Sequence, residues 1–91
     1  MTEADDPRRR YVTPPKSLPG FPAAARVKPK TPRPGGGLRK RWKDQGGRIY
    51  EWDYQHGTVE MYDSGGRHLG EFDPATGHRM KQADPSRRIE P

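Results

Sequence analysis

Within the eight residues Asp53-Tyr54-Gln55-His56-Gly57-Thr58-Val59-Glu60 the sequence places two carboxylates and an imidazole. Cleaving RNA by its own 2′-hydroxyl needs a base to take that proton, an acid to protonate the leaving 5′-oxygen, and a cation for the charge on the pentavalent phosphorane. A carboxylate and an imidazole supply base and acid near neutral pH, each typically worth ~10² to 10⁴ in rate, and an arginine clamps the phosphate. Arg87 or Arg88, in Asp84-Pro85-Ser86-Arg87-Arg88-Ile89, can fold back to provide that cation. This chemistry requires no metal and no cofactor. The bland reading stands beside it, since one histidine and two acids in a hairpin are also an ordinary solvated cluster, as are His68 and His78. A metal held by His56 with Asp53 and Glu60 is a further alternative that a single-histidine, oxygen-rich set does not decide.

The elements that must position these groups follow from the alternation of aromatic and branched residues with short Gly- or Asp-containing turns, the pattern of consecutive hairpins. Strands are expected at about 38–43, 48–53, 58–62 and 68–72, with a fifth over 78–81. If Tyr54 to Gly57 form a four-residue loop, Asp53 faces Thr58, Trp52 faces Val59, Glu51 faces Glu60 and Tyr50 faces Met61. Side chains alternate across a sheet, so Tyr50, Trp52, Val59 and Met61 fall on one face and Glu51, Asp53, Thr58, Glu60 and Tyr62 on the other. The first face reads as core and the second as acidic and wet. A register slipped by one residue would bury Glu60 against Trp52 at a cost of several kcal/mol, which favours the unslipped one. Trp42, Ile49, Leu69 and Phe72 complete a small candidate core.

At 91 residues the chain has room for one small domain, and its 27% hydrophobic content with 11 Gly and 11 Pro predicts that part of it is extended. The absence of cysteine excludes a disulfide framework, a thiolate zinc site and a cysteine nucleophile. No run approaches the roughly 18 apolar residues of a membrane span, and the N-terminus lacks the basic and apolar regions of a usual signal peptide, so no membrane insertion by this chain is expected. A net charge of +6 points to a polyanionic partner.

The composition breaks at Gly37. Residues 1–37 hold 8 of the 11 prolines and a net charge of +5, and read as a proline- and glycine-rich basic arm or linker, partly ordered against the domain. Only Ala23 to Val27 could make a helical turn there, and Gly35-Gly36-Gly37 reads as a flexible hinge. Residues 38–91, net +1, read as an antiparallel β domain. The run Arg39-Lys40-Arg41-Trp42-Lys43, with Arg48 beyond it, suits phosphate contacts plus base stacking, although such a run is equally a solvated edge strand. Arg67 and Arg79 extend this basic rim.

Arg39-Lys40-Arg41-Trp42, then Gly47-Arg48-Ile49-Tyr50-Glu51-Trp52-Asp53 and Gln55-His56-Gly57, closely resemble the cytotoxic ribonuclease domain of ribosome-inactivating colicins and cloacin. The likeness continues through Glu60, Tyr62, His68-Leu69-Gly70, Phe72-Asp73-Pro74, Thr76-Gly77 and Asp84-Pro85, over roughly residues 11–89. Tyr54 stands where the family pattern has a small polar residue. The resemblance implies a mainly β fold: a small, highly twisted antiparallel sheet of four to six strands, an extended N-terminal arm and room for one short N-terminal helix. It implies an endoribonuclease that cuts 16S ribosomal RNA at the decoding A site and stops translation, without a cofactor. Carried over by position, the catalytic residues are Asp53, His56, Glu60 and Arg87: Glu60 as base on the 2′-hydroxyl, His56 as proton donor or electrostatic partner, Asp53 orienting His56, Arg87 clamping the phosphate.

The expected partners are the bacterial ribosome and a small acidic immunity protein, which a basic domain would meet by fast, electrostatically steered association. In the family this domain ends a long chain with translocation and receptor-binding parts. Delivery is therefore expected by a route not encoded in these residues, from the producing bacterium to the cytoplasm of the target. Two other readings remain: a relative that holds the ribosome or RNA without cutting it, and a nuclease of the same family acting on another RNA such as tRNA.

Overall fold

The computed structural model describes residues 11–91; the start of the arm, Arg8 to Arg10 included, lies outside the described residues. Six strands, β1 (Ala25–Val27), β2 (Arg41–Lys43), β3 (Ile49–Asp53), β4 (Thr58–Tyr62), β5 (His68–Phe72) and β6 (Arg79–Lys81), form one sheet in sequence order. Every neighbouring pair is antiparallel. The mainly β expectation holds, and there is no helix among the described residues. Where a helical turn was expected, Ala25 to Val27 instead pair with Lys43 to Arg41. The outer edge of β2 offers backbone donors and acceptors that a helical turn would leave unmatched, and the arm supplies their partners.

The β3–β4 hairpin has the register deduced from its loop: Tyr50 opposite Met61, Glu51 opposite Glu60, Trp52 opposite Val59 and Asp53 opposite Thr58. On one face Trp42, Tyr50, Trp52, Val59 and Met61 are buried, and the lid over them comes from the arm. Leu18 is fully buried in that cluster, and Phe21 packs on Tyr50 at 4.9 Å between ring centroids and edge-on to Phe72 at 5.8 Å. The Trp52 indole N–H donates to the Val12 carbonyl at 2.8 Å, which meets the polar need of a buried tryptophan. The prolines keep residues 11–37 from building regular structure of their own, yet a chain already fixed in φ loses less entropy when it is laid across a sheet.

The second face differs from expectation. Expected to be wet, it buries Glu51, Thr58, Glu60, Tyr62, His68 and Glu71. The C-terminal segment accounts for this cover: the Ile89 N–H donates to the Gly66 carbonyl at 2.9 Å, the His68 N–H to the Arg87 carbonyl at 3.2 Å, and the Glu90 carbonyl accepts from Arg41 at 2.8 Å. Gly66 has φ +87° and its α-carbon faces the Ile89 carbonyl so closely that any side chain would collide with it. Glycine there is a condition for docking the C-terminal segment.

Between β4 and β5 the pairing shifts by one residue, from Tyr62 opposite His68 to Met61 opposite Gly70, and resumes with Glu60 opposite Glu71. Leu69 is the extra residue of a bulge. Without it, a 2-residue period would send His68 and Glu71 to opposite faces; with it, both stand on the face that carries Glu60.

Candidate active site

The four-residue loop returns the chain so that Asp53 ends β3, His56 sits in the turn and Glu60 lies in the middle of β4. Asp53 organises the turn. Its Oδ1 accepts the backbone N–H groups of Gln55 at 2.9 Å and His56 at 3.0 Å, and its Oδ2 meets His56 Nδ1 at 2.8 Å. Burial pushes the Asp53 carboxyl up, but the backbone N–H of His56, its ring and the N–H of Gln55 outweigh that and hold it below the ordinary range. The imidazole is thereby fixed through Nδ1, half exposed, with Nε2 free to face the cleft.

Glu60 is buried, with two cationic or hydrogen-bonding neighbours on Oε1: His68 Nε2 at 2.7 Å and Arg87 Nη1 at 3.2 Å. Asp84 donates its backbone N–H to His68 Nδ1 at 2.9 Å, so the ring hydrogen of a neutral His68 resides on Nε2 and is donated to Glu60. Burial raises the Glu60 pKa; His68 and Arg87 oppose the rise, and the Glu71 carboxyl across the β4–β5 pair adds to it. Arg87 also donates to the Tyr62 hydroxyl at 3.0 Å. Its backbone is held by a tight turn in which Asp84 accepts from the Ser86 N–H and hydroxyl and from the Arg87 N–H.

Asp53, His56, Glu60, His68, Glu71 and Arg87 line one cavity of about 280 Å³. The four residues expected to do chemistry therefore share a cleft. Two more, His68 and Glu71, were not foreseen. His68, opposite Tyr62, reads in the sequence as an ordinary solvated residue and is instead buried. Glu71 is hidden by the β4–β5 bulge, since counting by twos from Glu60 across the Asp63 to Arg67 connection puts it on the apolar face. Asp53, His56 and Glu71 each offer a ligand atom within 4.8 Å of the others, a spacing a cation could use.

On the second face a row of charges crosses five strands, Arg41, Glu51, Glu60, Glu71 and Lys81 standing opposite one another in turn. Arg41 Nε and Nη2 both donate to Glu51 Oε2, at 3.2 and 2.9 Å, and both side chains are almost fully buried. Lys81 approaches Glu71 only to 3.9 Å from an exposed position.

The residues expected on an RNA surface separate. Arg41 and Trp42 are 2% and 1% exposed and are withdrawn from that role: Arg41 is spent on Glu51 and the C-terminal segment, and Trp42 lies in the core. A basic run in sequence shows charge but not that both faces of its strand are covered. Lys40 donates to the Pro15 carbonyl at 2.6 Å and lies over the Trp42 ring, and burial, then Arg26 and Lys16, lower its pKa. Lys43 and Arg48 are exposed at the other end of β2 and β3, roughly 16 Å from Asp53 at 3.3 Å per residue.

Arg39 does reach the site. It donates to the Trp52 carbonyl at 3.2 Å and, with Arg33, Arg87, Asp53, Tyr54 and Tyr11, lines a second cavity of about 710 Å³ next to the first. Arg33 was missed because it lies in the proline-rich arm just before Gly35 to Gly37, which read as a hinge. Residues 33–37 form a closed turn instead, with the Arg33 N–H donating to the Gly37 carbonyl and Pro32 bridging to Leu38.

A family model described as Cytotoxic matches residues 12–90. Colicin E3 of Escherichia coli is 59% identical over 64 residues, 67% of this chain and 12% of the relative. Colicin-E6 and cloacin, also of Escherichia coli, are each 57% identical over 65 residues, 68% of this chain and 12% of theirs. The chain thus spans about 12% of the length of the relatives it matches.

Proposed function

Since the chain belongs to the Cytotoxic family, the nuclease toxin domains of colicins and cloacin, we propose that it cleaves 16S ribosomal RNA at the decoding A site by general acid–base catalysis and so stops translation. The observation that carries this reading is the cleft that gathers a buried Glu60, an Asp53-held His56 and Arg87.

Both bonds to Glu60 end on Oε1, so Oε2 accepts the proton of the 2′-hydroxyl. The freed oxygen attacks the adjacent phosphorus, His56 gives its Nε2 proton to the departing 5′-oxygen, and the products are a 2′,3′-cyclic phosphate and a 5′-hydroxyl. Asp53 keeps the ring oriented. Arg87, 42% exposed, reaches the phosphorane oxygens while still touching Glu60. Arg39 receives phosphates near the cut, and Lys43 and Arg48 receive them farther along the strand.

The toxin acts in the cytoplasm of a target bacterium, and an acidic immunity protein protects the cell that makes it. Incubation with intact bacterial ribosomes, followed by primer extension on 16S RNA, is expected to show one new 5′ end at the decoding site, and a short RNA hairpin carrying that site is expected to be cut equally with and without EDTA. Cut tRNA with intact ribosomal RNA would move the substrate, and loss of hairpin cleavage in EDTA would assign Asp53, His56 and Glu71 to a cation.

The raised pKa of Glu60 sets the acid limb of the activity profile. Glu60 must be ionised to act, so the rate falls as pH drops through its pKa, at a pH above the ordinary glutamate range. Glu71→Gln removes a like charge from beside it. The acid limb of kcat/KM is then expected to move to lower pH, and an unmoved limb would show that Glu71 does not bear on the base.

A further inference from the structure

The larger cavity has features that proton transfer does not call for. Its wall carries three guanidinium groups, of Arg33, Arg39 and Arg87, against one carboxylate, Asp53, which belongs to the catalytic cleft. Beside them stand two tyrosines whose ring centroids lie 5.3 Å apart. The Arg33 guanidinium lies over the Tyr54 ring at 4.1 Å and near the Tyr11 ring at 5.3 Å.

This stack is held in place at several points. Arg33 Nε donates to the Gly36 carbonyl at 3.0 Å, and the Tyr54 hydroxyl accepts the Lys40 N–H at 3.2 Å. A guanidinium centred 4.1 Å from an aromatic ring and tied by its Nε is a planar group held in one place. Nucleobases stack on such groups, and the ordering cost is met before the base arrives. A phosphate clamp alone would have no use for the two tyrosines. The volume, about 710 Å³, lies in the range of cavities that take a small organic ligand. Because Asp53 and Arg87 line both cavities, whatever occupies the larger one is a direct neighbour of the bond being cut.

We infer that the cavity bounded by Arg33, Tyr54, Tyr11 and Arg39 is a subsite for an unpaired nucleobase adjoining the cut phosphodiester, stacked on the Arg33 guanidinium, with Arg39 on that nucleotide's phosphate. The inference rests on the nuclease reading for its position in the reaction, but its test does not need cleavage. Tyr54 is the ring over which Arg33 lies. Lysine in place of Arg33 keeps the charge and loses the plane.

The Glu60→Gln protein, so that no RNA is consumed, is titrated by fluorescence anisotropy into fluorescein-labelled hexaadenylate and into an abasic hexaribonucleotide of the same charge. Arg33→Lys and Tyr54→Ser in that background are expected to weaken hexaadenylate binding roughly tenfold each, to leave the abasic strand unchanged, and to keep the parent melting temperature. Equal weakening for both strands would make the cavity a phosphate site only, and no change for either would remove it from the RNA path. Both outcomes overturn the inference. Failure of the unsubstituted chain to cut ribosomes would instead defeat the nuclease reading while a base-dependent loss at Arg33 still stood.

Discussion

Glu60→Gln should lower the single-turnover rate of RNA cleavage at least about 100-fold and leave ribosome binding nearly intact. The amide has the shape of the carboxylate and still offers an oxygen to His68 and Arg87, so the cleft keeps its packing. What it lacks is the basic oxygen that, in the proposed mechanism, receives the 2′-hydroxyl proton. His56 and Arg87 remain to assist the leaving group and the phosphorane, so a residual rate above the uncatalysed one is expected. His56→Ala should cost a comparable factor from the other end of the reaction. Measured with excess enzyme on intact ribosomes, an unchanged rate would place the base elsewhere, and a loss of binding equal to the loss of rate would make Glu60 a structural residue.

Arg41→Ala should destabilise the fold by about 3–5 kcal/mol, because it leaves the Glu51 carboxylate buried without its cation. Glu51 has little in reserve: its Oε1 is already buried with no hydrogen-bond partner. The variant also forfeits the bond to the Glu90 carbonyl and one to the Thr31 hydroxyl at 3.2 Å, loosening the C-terminal segment and the arm together. A domain this small typically has only ~5–15 kcal/mol in all. Urea unfolding followed by the fluorescence of Trp42 and Trp52 reads the effect directly. Replacing both partners, Arg41→Met with Glu51→Leu, should recover most of the loss, since no orphaned charge remains. A single-variant cost below about 1 kcal/mol would mean that the pair is hydrated and contributes as surface pairs do.

The parts of this protein that could be read from its residues are those whose geometry is local. A four-residue loop and strict alternation set the β3–β4 register, and with it the meeting of Asp53, His56 and Glu60. The parts that could not be read depend on contacts between distant segments. Leu69 bulges out of β5 and thereby moves Glu71 to the face of Glu60, a shift of parity with no signature in composition. Arg41 and Trp42 look like a nucleic-acid surface until the C-terminal segment covers one and the arm covers the other. Ala25 to Val27 become a strand only because β2 has an open edge beside them, and Arg33 enters the site only because Pro32 and Leu38 pair.

The docking of the C-terminal segment along Gly66 and His68 has a consequence in time. Proteins are made from the N-terminus onward, and the strands of this sheet leave the ribosome before Arg87 does. Until Asp84 to Ile89 emerge and settle against β5, Glu60 lacks its guanidinium and the second face stands open. A growing chain therefore assembles its hairpin trio without the cation that completes the cleft.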